Sequence, residues 1–317
     1  MKHRISKKDI LKLLLLAAII VAADRGLFAG FSRLFDKLET VGLSEMVNSQ
    51  AEIVVFGSSR ACHHYESEVI ENITGKSTYN IGRDGLGVPY TRGACDVLLK
   101  SYCPKTIVIE VGPKSIMTRS CGNQLKRVSR LAPYIDQSDV VKEMILSQGP
   151  QHKYRYMSKA FRFNGLPMYV FYDITKRDKF VKGYEALDKV YDPTYFRLPV
   201  NAGKGFVQSD LNEDCVRLLI DTIRSAKENG AEVILVTSPR WGGFAGYESD
   251  ERECFAFIEQ LAKEHGASYI AVMQEDYPHF ADASLFADVD HLNRQGARVF
   301  SEIIADILIE KTTPSSR

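Results

Sequence analysis

From Glu52 onward the chain alternates short apolar runs with longer amphipathic ones. Five short runs read as strands, most of them nearly continuous in apolar residues: Glu52–Phe56, Ser77–Gly82, Lys105–Gly112, Ala231–Pro239 and Ala267–Met273. Most are rich in β-branched residues and do not alternate with polar ones, the pattern of strands covered on both faces. Helical patterns separate them, over residues 89–102, 212–230, 251–266 and 293–311. Asn229-Gly230 and Gly266 stand where two of these patterns stop, as helix C-termini favour. Strands alternating with helices predict an α/β fold, a three-layer sandwich of about five parallel strands in flavodoxin-like order with the first strand central.

Two stretches break this rhythm. Residues 117–208 separate the third strand from the fourth and are too long for one crossover. They are aromatic and polar, and they read as a mostly helical insertion over the carboxyl edge of the sheet, where open α/β sheets place their sites. The N-terminus carries Lys2, Arg4, Lys7 and Lys8, then an apolar run from Leu13 to Ala23. That run is short of the roughly 20 residues of a membrane span. Starting it at Ile10 lengthens it, with Lys12 able to snorkel. Three readings are open: a signal anchor with its basic end in the cytoplasm, a cleaved signal peptide with Val21 and Ala23 before the cut, and an amphipathic or buried helix. The run is apolar on every face, which weakens the last, and the anchor is preferred. The organisation read from the chain is therefore residues 1–30 as anchor or signal peptide, 31–50 as a helical linker, and 51–312 as one folded domain.

Composition narrows the function classes. The 317 residues are 45% hydrophobic and 26% charged, enough apolar content for a globular core. A net charge of +1 gives nucleic-acid binding no electrostatic support. The six cysteines, Cys62, Cys95, Cys103, Cys121, Cys215 and Cys254, include no CxxC pair and so no zinc or redox signature. Their scattered spacing reads as small buried hydrophobes rather than a disulfide framework.

The candidate chemistry starts at "VVFGSSRACHHY", Val54–Tyr65, where an apolar strand runs into Gly57, Ser58 and Ser59. A serine nucleophile needs a base and an orienting acid. "LFADVDHLNRQGARVF" supplies Asp288 and His291, three apart in a turn before the closing helix, a spacing that lets the carboxylate fix the imidazole tautomer. Asp290, beside them, points elsewhere. These blocks resemble the SGNH hydrolase family, the GDSL-type esterases, over Glu52–Ser115 and again from Ala231 to the closing helix. The resemblance implies that Ser59 is the nucleophile, with Ser58 in the aspartate's place, His291 the base and Asp288 its orienter. It aligns Asn80, in "YNIGRDGLG", with the family's second block. Gly85 there aligns with the glycine whose N–H joins the N–H of Ser59 in an oxyanion hole. The third block departs from the family. After "TIVIEVG" come Pro113 and Lys114 where the family carries an asparagine, and Lys114 stands nearest that place as a donor. The departure, the N-terminal run and the Gly-Ser-Ser turn are similar to divergent, membrane-anchored members that act in O-acylation of cell-surface polymers.

The resemblance implies a serine-dependent esterase or O-acyltransferase working outside the cytoplasm on acyl, chiefly acetyl, esters of carbohydrate or a cell-surface polymer. It implies no cofactor and no metal. The partners are the acylated polymer, the membrane through the N-terminal helix, and a membrane O-acyltransferase. The alternative class is a non-catalytic binding or scaffold protein of the same fold beside such a transferase. Other motifs carry less. Adjacent His63 and His64 point in different directions and rarely share an ion, so they read as solvated or helix-capping. "GRDGLG" is not GxGxxG, and "GSSR" lacks the lysine of a phosphate loop. Arg240, after the fourth strand, reads equally as a substrate-anion site at the sheet edge and as a surface loop residue.

Overall fold

The computed structural model describes residues 6–35, 43–117, 124–164, 180–195, 211–241 and 248–312. Its main sheet has strands β1 (Ile53–Phe56), β2 (Thr78–Asn80), β3 (Thr106–Glu110), β6 (Glu232–Thr237) and β7 (Ser268–Ala271) in the order β2-β1-β3-β6-β7. Every pairing in it is parallel, with Ile53 opposite Thr78 and Thr106, Thr106 opposite Glu232, and Ile234 opposite Ser268. The order is the one anticipated, except that β3, not β1, holds the middle.

The continuous apolar runs explain the layers. Successive side chains of a strand point to opposite faces. Val54, Phe56, Ile107, Ile109, Val233 and Leu235 enter one core, and Ile53, Val55, Val108, Ile234 and Val236 enter the other. Helices α5 (Val88–Leu99), α9 (Glu213–Glu228) and α10 (Glu248–Glu264) cover the first face through residues such as Leu98, Leu219 and Ile258. Helices α3 (Ser59–His64), α4 (Ser67–Thr74) and α11 (Arg294–Thr312) cover the second through Ala61, Ile70, Phe300 and Ile304. Each side chain of this size, fully buried, contributes about 1.5–3 kcal/mol, so both faces must be apolar and neither can alternate.

The N-terminal boundaries differ from expectation. Helix α1 spans Lys7–Phe35, past the expected end of the anchor. The stretch read as a linker carries α2 (Leu43–Ser49), whose Leu43 and Met46 are wholly buried in the first core. Their burial makes α2 part of the domain. Residues 7–23 of α1 are exposed on every face. Its far end is docked: Phe28, Phe31 and Phe35 surround Phe163, with centroids 5.1–5.5 Å apart. Among the described residues no helix is long and apolar enough to cross a membrane.

The insertion is also more varied than expected. Its described part holds a 3-10 turn (Val128–Tyr134) and helices α7 (Asp139–Leu146) and α8 (Pro150–Arg155). Val128, Leu131, Val141 and Ile145 pack into the first core, on the α5 side rather than over the sheet edge. It also holds a hairpin of β4 (Phe180–Val181) and β5 (Tyr184–Glu185). Lys182 and Gly183 between them have φ of +48° and +83°, the two left-handed positions of a tight hairpin turn. The hairpin does reach the sheet edge. The N–H of Asn80 donates to Lys182 (3.0 Å), and the buried Arg83 guanidinium donates to the Gly183 carbonyl (3.0 Å) and lies over Phe180.

Candidate active site

Strand β1 ends in glycine for a steric reason. Gly57 has φ +149°, and a Cβ there would lie 2.8 Å from the Cβ atoms of both Ala61 and Glu110. Only glycine lets the chain turn from β1 into α3 against β3. Ser58 is the N-cap of α3 and Ser59 its first residue, so Ser59 stands at the carboxyl edge of the sheet.

The structure brings Asp288 and His291 to Ser59 across most of the chain. His291 Nε2 lies 2.7 Å from Ser59 Oγ, and His291 Nδ1 lies 3.0 Å from both Asp288 carboxylate oxygens. A carboxylate only accepts, so Nδ1 carries its proton and Nε2 is free to accept from the serine hydroxyl. The loop is rigid locally. Asp288 Oδ1 also accepts from the N–H of Asp290 (2.8 Å) and of His291 (3.0 Å), and the Ala287 N–H donates to the His291 carbonyl (2.8 Å). Partial burial works against the Asp288 charge, but the His291 imidazole and these backbone donors outweigh it and hold its pKa at about 2. Asp288 is thus ionised at any ordinary pH. A hydroxyl held by an imidazole that is itself held by a carboxylate can pass its proton as it attacks an acyl carbon.

Beneath this row lies a buried network that sequence reasoning did not find. His64, read as solvated or capping, is fully buried, and burial together with the neighbouring cationic groups holds its pKa well below the usual value. Its Nε2 accepts from the Leu292 N–H (3.0 Å), so its proton sits on Nδ1 and donates to Ser238 Oγ (2.8 Å). Ser238 Oγ donates to Glu110 Oε1 (3.0 Å). Glu110, at the end of β3, also takes Arg60 (2.9 Å) and the Tyr65 hydroxyl (2.5 Å). His64 therefore grips the residue next to His291 and ties that loop to the middle of the sheet. The only trace of it in sequence is an apolar strand ending in glutamate, at Glu110.

His63 is buried too, on the same face of α3 as Ser59 one turn earlier. Nδ1 meets the Glu185 carbonyl (2.7 Å) and Nε2 meets Asp84 (3.0 Å). Both partners only accept, so both nitrogens carry protons and the ring is an imidazolium. Burial opposes that charge, but Asp84 and the Glu185 carbonyl outweigh it and raise the pKa. Cys62, His63 and Asp84 bring ligand atoms within 4.8 Å of one another. Both His63 nitrogens are already taken, by the Glu185 carbonyl and by Asp84, and burial pushes the Cys62 thiol up to about 12.

The remaining candidates are spread around this centre. Gly85 lies in the turn after β2, which is tied to the β1 end by Arg83 N–H to Gly57 carbonyl (3.4 Å); Arg127 holds the Gly85 carbonyl (2.8 Å). Asn80 is wholly buried, which removes it from substrate contact. Its amide donates to the carbonyls of Ala61 (2.7 Å) and Tyr65 (3.0 Å) and accepts from the Gly82 N–H (2.9 Å), pinning α3 to β2. Arg240 pairs with Asp290 (2.5 Å), so its guanidinium braces the loop that carries His291. Lys114 sits in the short helix α6 (Pro113–Ile116) straight after β3, and its side chain lies outside the described residues. Cys215 is buried in the core, as expected, but is disulfide-bonded, while Cys62, Cys95, Cys103 and Cys254 take no part in a disulfide. No protein-family model matches this chain. No curated protein matches it either.

Proposed function

We propose that the chain is a serine-dependent esterase or O-acyltransferase of the SGNH hydrolase type. It acts on acyl esters of carbohydrate or a cell-surface polymer outside the cytoplasm. The observation that carries this reading is the 2.7 Å contact of Ser59 Oγ with His291 Nε2, continued to Asp288 at 3.0 Å. In this reading Ser59 Oγ attacks the ester carbonyl and its proton passes to His291 Nε2. The tetrahedral oxyanion is met by the N–H groups of Ser59 and Gly85 and by Lys114. It collapses, the C–O bond breaks, and His291 protonates the leaving alcohol. Water or a sugar hydroxyl then gives its proton to His291 and takes the acyl group, and His291 returns that proton to Ser59 Oγ as the serine leaves. Asp288 stays ionised throughout.

The disulfide at Cys215 agrees with an oxidising compartment. The basic N-terminus and the exposed apolar flanks of α1 support attachment to a membrane, where a membrane O-acyltransferase would be the partner. A fluorophosphonate probe tests the reading. It is expected to label Ser59 in the wild type, not at all in Ser59→Ala and far more slowly in His291→Ala. Absence of labelling, with no turnover of p-nitrophenyl acetate, would overturn it. The second reading, a non-catalytic scaffold, draws on Pro113 and Lys114 standing where the family carries an oxyanion asparagine. Binding of acylated polysaccharide without labelling would support that one.

A further inference from the structure

We propose that the insertion segment Pro150–Lys159 is a second membrane contact, lying on the headgroups of an anionic phospholipid bilayer beside the point where α1 leaves it. The proposal rests on α1 being seated in lipid. The apolar run of α1 ends at Ala23, and the next residue is fastened to this segment. Asp24 accepts from Ser158 Oγ (2.5 Å) and from the N–H groups of Lys159 (2.9 Å) and Ala160 (3.0 Å). Phe163 packs among three phenylalanines of α1, one helical turn or more further along. The segment is therefore held at the level of the helix where lipid gives way to water.

Its composition fits that level. Tyr154 and Met157 are 72% and 68% exposed, the two most exposed large apolar side chains among the described residues outside the projecting part of α1. Lys153 and Arg155 flank Tyr154 and are exposed as well. From Pro150 to Phe163 there is no acidic residue. Tyrosine at the interface and cations against anionic headgroups are the side chains this environment favours. There is also a reason for a second contact. The uncharged run Leu13–Ala23 rises about 17 Å in a helix, roughly half the hydrocarbon thickness. One short apolar insertion binds reversibly, and stable attachment takes a second signal.

The test uses the full chain on phosphatidylglycerol–phosphatidylcholine vesicles. The exposed Cys103 is replaced by serine, and a polarity-sensitive fluorophore is placed at Met157→Cys or, separately, at Leu16→Cys. Quenching by headgroup-labelled lipid at position 157, together with deep quenching at position 16, is the expected result. The double variant Lys153→Glu, Arg155→Glu should weaken partitioning on the order of 25-fold or more on anionic vesicles, at about fivefold per lost cation, and change little on neutral ones. Quenching at 16 without quenching at 157 would overturn the second contact and leave α1 in lipid. Quenching at neither would overturn both. A blue-shifted label at 157 that ignores the lipid quencher would mean a protein contact instead, and would also overturn the proposal.

Discussion

Ser59, His291 and Asp288 make a chain of hydrogen bonds, and the residues around them decide how well it holds. His64 is the one to change first. It accepts from Leu292 N–H and donates to Ser238, both inside the protein. His64→Ala leaves that N–H unpaired, opens a cavity and frees the loop. A stability loss of about 2–4 kcal/mol by chemical denaturation is expected, with slower labelling of Ser59. Asn80→Ala should cost a similar amount, about 2–4 kcal/mol, because two carbonyls and one N–H lose their partner. It should act through stability rather than KM, since the amide is wholly buried. For Lys114 the expectation is kinetic. Lys114→Ala should lower kcat by about a hundredfold with KM nearly constant, and Lys114→Asn should restore part of the rate. A change within about threefold in both variants would remove Lys114 from the proposed oxyanion role. At this scale the sequence was partly legible. Ser59, Asp288 and His291 stand in short recognisable blocks. His64 and Glu110 do not, since a buried polar pair gains its meaning only from what packs on it.

The elements were easier to read than their edges. All five runs became strands, and β1, β3 and β6, covered on both faces, are the ones with largely unbroken apolar sequence. The β4–β5 hairpin is not legible in the sequence, since strands of two residues each carry almost no periodicity. Its one signal was Lys182-Gly183 between two aromatic-bearing pairs. That turn is tight in space as well. A Cβ on Gly183 would come 1.7 Å from the Asn80 carbonyl oxygen. Gly183→Ala should therefore detach the hairpin and expose His63, read out as faster amide exchange at Glu185. Gly57→Ala should be worse for function, because the clash with Ala61 and Glu110 moves the serine-bearing turn itself.

At the scale of the whole molecule, pH and redox state are the levers. His64 is held neutral in the fold, while an unfolded histidine takes up its proton near pH 6.5. The unfolded state then binds more protons, so stability should fall as pH drops below about 6.5, by about 1.4 kcal/mol per pH unit. His63 has the opposite sign. Its raised pKa stabilises fully below about 6.5, and that contribution is lost as pH rises through its folded value. Between about pH 6.5 and 5 the slope thus belongs to His64, and His64→Gln should flatten it in thermal melts. Reducing the Cys215 disulfide should lower stability by about 2–4 kcal/mol, measured with and without reductant.

The sequence by itself determined the α/β class and the strand set, and it pointed to Ser59, His291 and Asp288, which the fold brings into hydrogen-bond contact. Each of these is written in local patterns: unbroken apolar runs, a Gly-Ser-Ser turn, and Asp and His three apart. Only the tertiary structure decided that β3 takes the middle of the sheet, that α2 joins the core and that Asn80 and His64 are buried braces. The same holds for Asp24 fastening α1 to the insertion. Those facts depend on contacts between residues tens to hundreds of positions apart, such as His64 with Leu292 or Asp24 with Ser158. No local pattern encodes such contacts, because burial and partner are properties of the packed chain.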